Sequence, residues 1–475
     1  MKRNSATRRE RKKLQIIVLF QNLGADHPYY AQSPAPPLPG ILLAAMTPDI
    51  VDVEVLHEMV RPIDYTTDAD FIALSFMDYL SPHAYDVAAR FRAMGKIVVG
   101  GGKFASTFPE DVQPHFDAIL VGEAQSVWPT MVRDMVDGNL RARYDAATLS
   151  LEHLPPPRYD LAEHCYATPV VTEATRGCPH PCTYCQLNIR RMPFRQRPVA
   201  DVINDLTATQ RLPWYKRKMA MLLDNNLGGD LSYAKTLLGE IAKLGFWALG
   251  AQFSIECLRD DDFVDALARA HCRMAFIGME SLEPRSLAAV QKAQNRVGEY
   301  REAFDKLHRR GILTFTGLMF ALDEDSTGYY ARLPKLLSEV GTTVILPSIA
   351  IPIYGTPLYR KVVEESRLID ADLSHYEGDH VVFHHKHLSA EEIHEAYGSV
   401  TMGFYQWKKI LGRWLVFLGK QSKRESWGGF AFKLFILSFI YFKLSLFQRQ
   451  HALVKIRDLR RKPDSTVQIM GRDAA

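Results

Sequence analysis

Six cysteines in 475 residues are too few to staple a fold of this size. That excludes a disulfide framework and points to a reducing compartment, the cytoplasm. Charge of one sign is also missing. Fifty-eight Lys and Arg stand against 54 Asp and Glu, a net charge of +4, so bulk charge indicates no nucleic-acid partner. There is no internal repeat and no long low-complexity tract, and the first apolar run, "LQIIVLF" (14–20), is too short for a secretory h-region. The charge asymmetry that exists lies in residues 1–13, where "MKRNSATRRERKK" holds seven basic residues. It reads as a solvated arm, with contact to a membrane surface or nucleic acid as the sharper alternative. A hydrophobic fraction of 47% with 24% charged residues is that of a folded chain, long enough for two or three domains.

Three of the six cysteines fall within eight positions, in "EATRGCPHPCTYCQLN" (173–188). Cys178, Cys182 and Cys185 cannot pair internally without leaving a thiol over. A structural zinc site takes four ligands, usually as separated pairs, and no second CxxC or HxxxH follows. His180 keeps a zinc alternative open, as does a chance cluster of structural thiols. Thiolates are also the ligands of iron–sulfur clusters, and three of them on a cubane leave one iron open to a substrate. Gly177, Pro179 and Pro181 prevent a helix here and leave a loop that could cradle such a group.

CxxxCxxC with Tyr184 before its last cysteine resembles the cluster loop of the radical S-adenosylmethionine superfamily. The resemblance implies a [4Fe-4S] cluster on Cys178, Cys182 and Cys185, with S-adenosylmethionine chelating the fourth iron. Reductive cleavage would then give methionine and a 5′-deoxyadenosyl radical, driven by an external reductant such as flavodoxin or ferredoxin.

Apolar strands and amphipathic helices alternate after the loop. The strands read as "MAMLLDNNL" (219–227), "LGAQFSIE" (249–256), "MAFIGMES" (274–281), "GILTFTGLMFAL" (311–322) and "TVILPSIAIPIYGTPLY" (343–359). With the strand before the cysteines they make six βα units and a parallel sheet. The resemblance makes this a partial (β/α)6 barrel, with function at the carboxyl ends of its strands. It places cofactor contacts at Asp224, Asn225 and Asn226, where the family usually has a GGE-like motif, and at Glu280 and Ser281. Gln252, Ser254 and Glu256 are expected to project from one face of the third strand. Gly317 is expected to let the fifth strand approach the adenine, and "PIYGTPLY" (352–359) resembles a substrate-side loop.

In the N-terminal third, strands over 14–20, 51–59, 69–77, 96–102 and 116–124 alternate with helical segments. The pattern is that of a doubly wound parallel sheet, which binds ligands at its carboxyl edge. Ahead of such a barrel it resembles the cobalamin-binding domain of cobalamin-dependent members. That resemblance implies cofactor contacts at Ser75, Gly100, Gly101, Gly102, Gly122 and Glu123. The DxHxxG motif of many such domains is missing, since Asp26 and His27 are adjacent. Cobalamin is therefore expected base-off without a histidine ligand, and inheritance of the domain without cobalamin is the alternative.

The expected organisation is a basic arm (1–13), a cobalamin-binding-like domain (14–145), a Pro-rich linker (146–165), a radical S-adenosylmethionine barrel (166–375) and a helical C-terminal region (376–475). Cys165, Cys257 and Cys272 read as structural, the last two in helical surroundings, and the histidines at 380, 384, 385 and 387 as solvated or substrate-facing. Residues 429–447, "GFAFKLFILSFIYFKLSLF", fit an interfacial helix, a helix packed on the barrel, or a bilayer span.

Together these readings imply a cobalamin-dependent enzyme that methylates an unactivated carbon of a small molecule, with lipid and polycyclic substrates the leading candidates. A rearrangement, cyclisation or oxidation with the same cofactors is the first alternative, and a non-catalytic iron–sulfur redox protein the second. No nucleic-acid partner is expected, and the location is the cytoplasm with peripheral membrane contact through 429–447.

Overall fold

The structure, a computed structural model, describes residues 11–20, 35–147, 150–162, 165–190, 192–210, 212–421 and 427–461. Asp26, His27 and residues 1–10 of the basic arm lie outside the described residues. The chain forms two compact units, Met1–Ala167 and Thr168–Ala475.

In the first unit six strands, β1 (Lys12–Val18), β2 (Val51–His57), β3 (Phe71–Ser75), β4 (Ile97–Gly101), β5 (Ala118–Val121) and β6 (Arg143–Asp145), form one sheet of order β2-β1-β3-β4-β5-β6. Every pairing is parallel. β3 and β5 are buried almost throughout, which is why they appear in the sequence as unbroken apolar runs rather than alternations. The connecting helices are α1 (Leu38–Met46), α2 (Ser81–Ala93), the short α3 (Lys103–Thr107) and α4 (Pro109–Val112), and α5 (Trp128–Asp137). α2 buries Ala84, Val87, Ala88 and Phe91, and α5 buries Trp128, Met131, Val132 and Met135, one stripe each at helical spacing. β6 went unread in the sequence because only Tyr144 of its three residues is buried.

In the second unit β7 (Val170–Thr172), β10 (Met219–Leu222), β11 (Ala248–Gln252), β12 (Cys272–Glu280), β13 (Leu313–Phe320) and β14 (Val344–Ile349) make a parallel sheet of order β14-β13-β12-β11-β10-β7. β7 and β14 are not paired, so the barrel is partial. A small hairpin, β8 (Thr175–Arg176) with β9 (Arg195–Gln196), is antiparallel and closes the base of the loop that carries the three cysteines. The helices are α6 (Val199–Thr207), α7 (Leu231–Ala242), α8 (Asp261–Arg269), α9 (Pro284–Ala289), α10 (Tyr300–Arg309), α11 (Thr327–Val340), α12 (Pro357–Glu364), α13 (Ala390–Phe404), α14 (Trp407–Gly419) and α15 (Trp427–Arg461).

The structure corrects several local expectations. β11 stops at Gln252, and Ile255–Arg259 is a 3-10 turn. Ser254 and Glu256 are therefore not strand residues sharing a face, and Cys257 lies in that turn. Cys272 opens β12 instead of sitting in a helix. Both thiols are buried, and burial pushes each pKa up to about 12, which suits inert packing groups. Cys165 is exposed.

Candidate functional site

The loop between β8 and β9 begins at Gly177, with φ +86°, where a Cβ would sit 2.5 Å from the Pro193 carbonyl oxygen. Only glycine takes this position without strain. Cys178, Cys182 and Cys185 follow on a tight turn in which the Cys185 N–H donates to the Cys182 carbonyl, 3.1 Å. The Asn188 amide donates to the Cys182 carbonyl, 2.8 Å, and to that of His180, 3.3 Å. Thr183 ties the loop to the barrel at two points: its N–H donates to Val290 O, and its carbonyl accepts from Leu358 N–H, both 3.1 Å. The loop is thus fixed by backbone bonds independent of the thiols.

Two side-chain amides point at the sulfurs. Asn226 Nδ2 lies 3.8 Å from Cys178 Sγ, and Gln294 Nε2 lies 3.8 Å from Cys182 Sγ. Such donors stabilise thiolates. Burial raises the Cys178 pKa, with the Asn226 bond among the forces opposing it. Among the described residues no three His, Cys, Asp or Glu groups converge on a single ion. Three thiolates on one short loop are the donor set that an iron–sulfur cubane takes. His180, the candidate fourth zinc ligand, is engaged elsewhere: its Nε2 is 2.7 Å from Glu256 Oε1 and 3.3 Å from Ser254 Oγ.

The strand-end residues fall into two groups around this loop. In the first, Asn226 Oδ1 accepts from the Ser254 N–H, 3.1 Å, and hydroxyl, 3.3 Å, and the Ser254 hydroxyl lies 2.6 Å from Glu256. Burial works against the Glu256 carboxylate, but bonds from His180 and Ser254 outweigh it and hold its pKa below the usual value. Its Oε2 is buried with no hydrogen-bond partner, an acceptor left over for a bound group. Asp224 Oδ1 accepts from the backbone of Ala174 and Thr175 and from the Thr175 hydroxyl, while its Oδ2 is buried with no hydrogen-bond partner. Burial pushes its pKa up to about 7. Asn225 is exposed.

In the second group Glu280 ends β12 with φ +61°, a conformation strained for a non-glycine residue. Its carboxylate accepts from Lys292 Nζ, 2.7 Å, and from the Tyr184 hydroxyl, 3.1 Å. A Cβ on Gly278 would lie 2.5 Å from Glu280 Oε1, and one on Gly317 3.2 Å from Oε2. The close approach made possible by Gly317 is therefore to this carboxylate. Burial disfavours the Lys292 ammonium, yet the charges of Glu280 and of the loop cysteines outweigh it and raise its pKa. Ser281 is turned away from this group. It is fully buried, with its hydroxyl 3.2 Å from that of Tyr329 and accepting from the Glu283 N–H. Sequence reasoning missed Lys292 and Gln294, although "AVQKAQN" (289–295) sets a cation and three amides at and just beyond the end of a short helix.

A buried ion pair supports the strand that feeds the loop. Arg197 Nη1 is 2.6 Å from Asp205 Oδ2 and also donates to the Thr172 hydroxyl and the Glu173 carbonyl. In the C-terminal region His384 and His387 are exposed, whereas His380 and His385 are hydrogen-bonded. His380 Nδ1 lies 2.5 Å from Glu377, and His385 Nε2 lies 2.7 Å from the Leu322 carbonyl.

In the first unit the expected residues Ser75, Gly101, Gly102, Gly122 and Glu123 gather at the carboxyl ends of β3, β4 and β5, the edge where such sheets bind ligands. The glycine run is shaped by the protein's own packing. A Cβ on Gly100 would press 2.9 Å from the Phe116 ring, and one on Gly102 would overlap the Phe76 backbone. The Gly122 N–H donates to the Ser106 hydroxyl, 2.9 Å.

Residues 172–327 match the family model described as the Radical SAM superfamily. The chain is 26% identical over 388 residues to bacteriochlorophyllide d C-12(1)-methyltransferase of Chlorobaculum tepidum, covering 79% of this chain and 84% of the relative. It is 25% identical over 399 residues to bacteriochlorophyllide d C-8(2)-methyltransferase of the same organism, covering 79% and 86%. Among solved structures it is similar to the cobalamin-dependent S-adenosylmethionine radical enzyme OxsB with aqua-cobalamin and S-adenosylmethionine bound. The TM-score is 0.64 at 12% identity, over 95% of this chain and 80% of that one. The chain thus carries a Radical SAM domain over residues 172–327, within the fold of the cobalamin-binding solved structure it resembles.

Proposed function

We propose that this protein is a cobalamin-dependent radical S-adenosylmethionine methyltransferase that methylates an unactivated carbon of a polycyclic, lipophilic small molecule in the cytoplasm. The observation that carries the reading is the three-thiol loop, held by backbone bonds and served by two amide donors. Cys178, Cys182 and Cys185 hold the [4Fe-4S] cluster. Glu256 and Glu280 offer carboxylates to the amino and ribose groups of S-adenosylmethionine, and Lys292 balances charge beside them. The carboxyl edge of β3, β4 and β5 receives cobalamin through Ser75, Gly101, Gly102, Gly122 and Glu123.

Bound there, these groups would supply hydrogen abstraction from the substrate and the methyl that replaces it. The chain's own task is to place them and exclude water. Asn226 and Gln294 hold the thiolates, the Gly278 and Gly317 floor makes room for the Glu280 carboxylate, and Asp224 fixes the end of β10 against the loop. The polycyclic substrate class is supported by the two bacteriochlorophyllide-modifying relatives. A small-molecule substrate and an external reductant are general requirements of the family.

The test is anaerobic turnover of the reconstituted protein with a chlorophyllide-type substrate. Methylated product accompanied by both 5′-deoxyadenosine and S-adenosylhomocysteine is expected. 5′-Deoxyadenosine without S-adenosylhomocysteine would replace methylation by a rearrangement, cyclisation or oxidation. Neither product would leave a non-catalytic redox protein.

A further inference from the structure

The face of the barrel unit built by α14, α15 and the loop before β10 presents more exposed apolar side chain than any reaction at the strand ends uses. On α14, Trp407, Leu411 and Leu415 recur every fourth residue and are 51%, 49% and 66% exposed. On α15, Phe432, Phe435, Phe439 and Leu446 form one stripe, with Phe435 at 65%. Trp214 and Tyr215 stand out from the loop, and ring contacts join them to α15: Trp214 to Trp247 at 5.6 Å, and Trp247 to Phe432 at 5.1 Å. A contiguous patch of this kind marks an interaction surface.

Its charge selects the occupant. Residues 406–456 contain ten Lys and Arg and one acidic residue, Glu425. Lys408 and Lys409 are exposed beside Trp407, the Lys443 ammonium lies 5.6 Å from the Phe439 ring, and the Arg449 guanidinium lies 5.5 Å from the Trp407 ring. Aromatic and aliphatic groups bordered by cations suit the interface of an anionic lipid bilayer. A second copy of the chain would bring the same positive charge against itself.

Gly428–Gln450 is long and apolar enough to cross a bilayer, but its inner face is already taken. Leu437 and Tyr441 are fully buried. Tyr441 stacks on Trp414 at 5.2 Å, and its hydroxyl donates to the Ile410 carbonyl, 2.9 Å. A spanning α15 would have to abandon these contacts and uncover α14. We infer that α14, α15 and the 212–218 loop form a docking face that seats the folded enzyme reversibly on an anionic lipid surface, with α15 lying in the interface and not crossing it.

The experiment uses the full-length protein without cofactors, so its failure leaves the proposed reaction standing. It is sedimented with vesicles of phosphatidylcholine alone and of phosphatidylcholine mixed with phosphatidylglycerol. Salt-sensitive binding to the mixed vesicles, released by alkaline carbonate, is expected. F435S/F439S should weaken it about tenfold or more, while F435L/F439L retains it with the same melting temperature. K408E/K409E should weaken binding to the mixed vesicles by a similar factor. No binding, equal salt-insensitive binding to both vesicles, or resistance to carbonate would overturn the proposal. So would a protein that ignores vesicles but forms a dimer dissolved by F435S/F439S.

Discussion

Lys292 Nζ lies 2.7 Å from Glu280 Oε1 and 3.0 Å from the Tyr184 hydroxyl. The aromatic residue of the cysteine loop is thereby joined to the end of β12 through one buried ion pair. Lys292 to Ala should leave the Glu280 carboxylate buried and unpaired, destabilising the barrel unit by about 3 kcal/mol. The pair E280Q/K292M should recover more than half of that loss, because neither partner is then stranded. Denaturant unfolding of the single and double variants measures this.

Gly177 sets the path of the chain into the first cysteine. An alanine there must adopt φ +86° with its Cβ 2.5 Å from the Pro193 carbonyl oxygen, a local strain of about 2 kcal/mol or more. G177A is expected to fold, with an unchanged far-ultraviolet spectrum, yet to hold much less iron and sulfide than the parent after anaerobic reconstitution. Equal loading would show that the loop path is not what positions the thiols.

Acid should destabilise both units through buried histidines. Burial lowers the pKa of His57, in the first unit, to about 4, and that of His308, in the second, to about 3. Both are neutral when folded and protonate near pH 6.5 when unfolded. Their stabilising effect is therefore complete above pH 6.5 and is lost as pH falls from there toward the folded values. The ceiling is roughly 3 kcal/mol for His57. H57Q, which can keep a partner for Tyr166, should flatten the first unit's share of that slope in urea titrations between pH 7.5 and 5.

The parts of this molecule that were readable in sequence are those written locally. Strands buried on both faces show as apolar runs, and a cluster loop shows as a spacing, because each depends only on near neighbours. The failures have physical causes. "LGAQFSIE" keeps a period of two beyond Gln252, where the chain has already turned, so Ser254 and Glu256 were placed on a strand. They nonetheless meet at Asn226 and His180, through a contact no periodicity encodes. α10 carries a clear apolar stripe of Tyr300, Ala303, Phe304 and Leu307, yet as the second helix of one crossover it has no place in a simple strand–helix alternation and goes unread. Ser281 follows Glu280 directly, yet the turn there sends it to Tyr329. Lys292 was invisible as the partner of Glu280 because a helix separates them.

On the proposed function, the protein supplies three thiolates and leaves one iron for S-adenosylmethionine. Mössbauer spectroscopy of protein reconstituted with iron-57, recorded with and without S-adenosylmethionine, tests it most directly. The expected result is a [4Fe-4S] cluster in which a single iron site changes its isomer shift when S-adenosylmethionine is added. A cluster whose spectrum is unchanged by S-adenosylmethionine, or a centre that takes up zinc in place of iron, would contradict it.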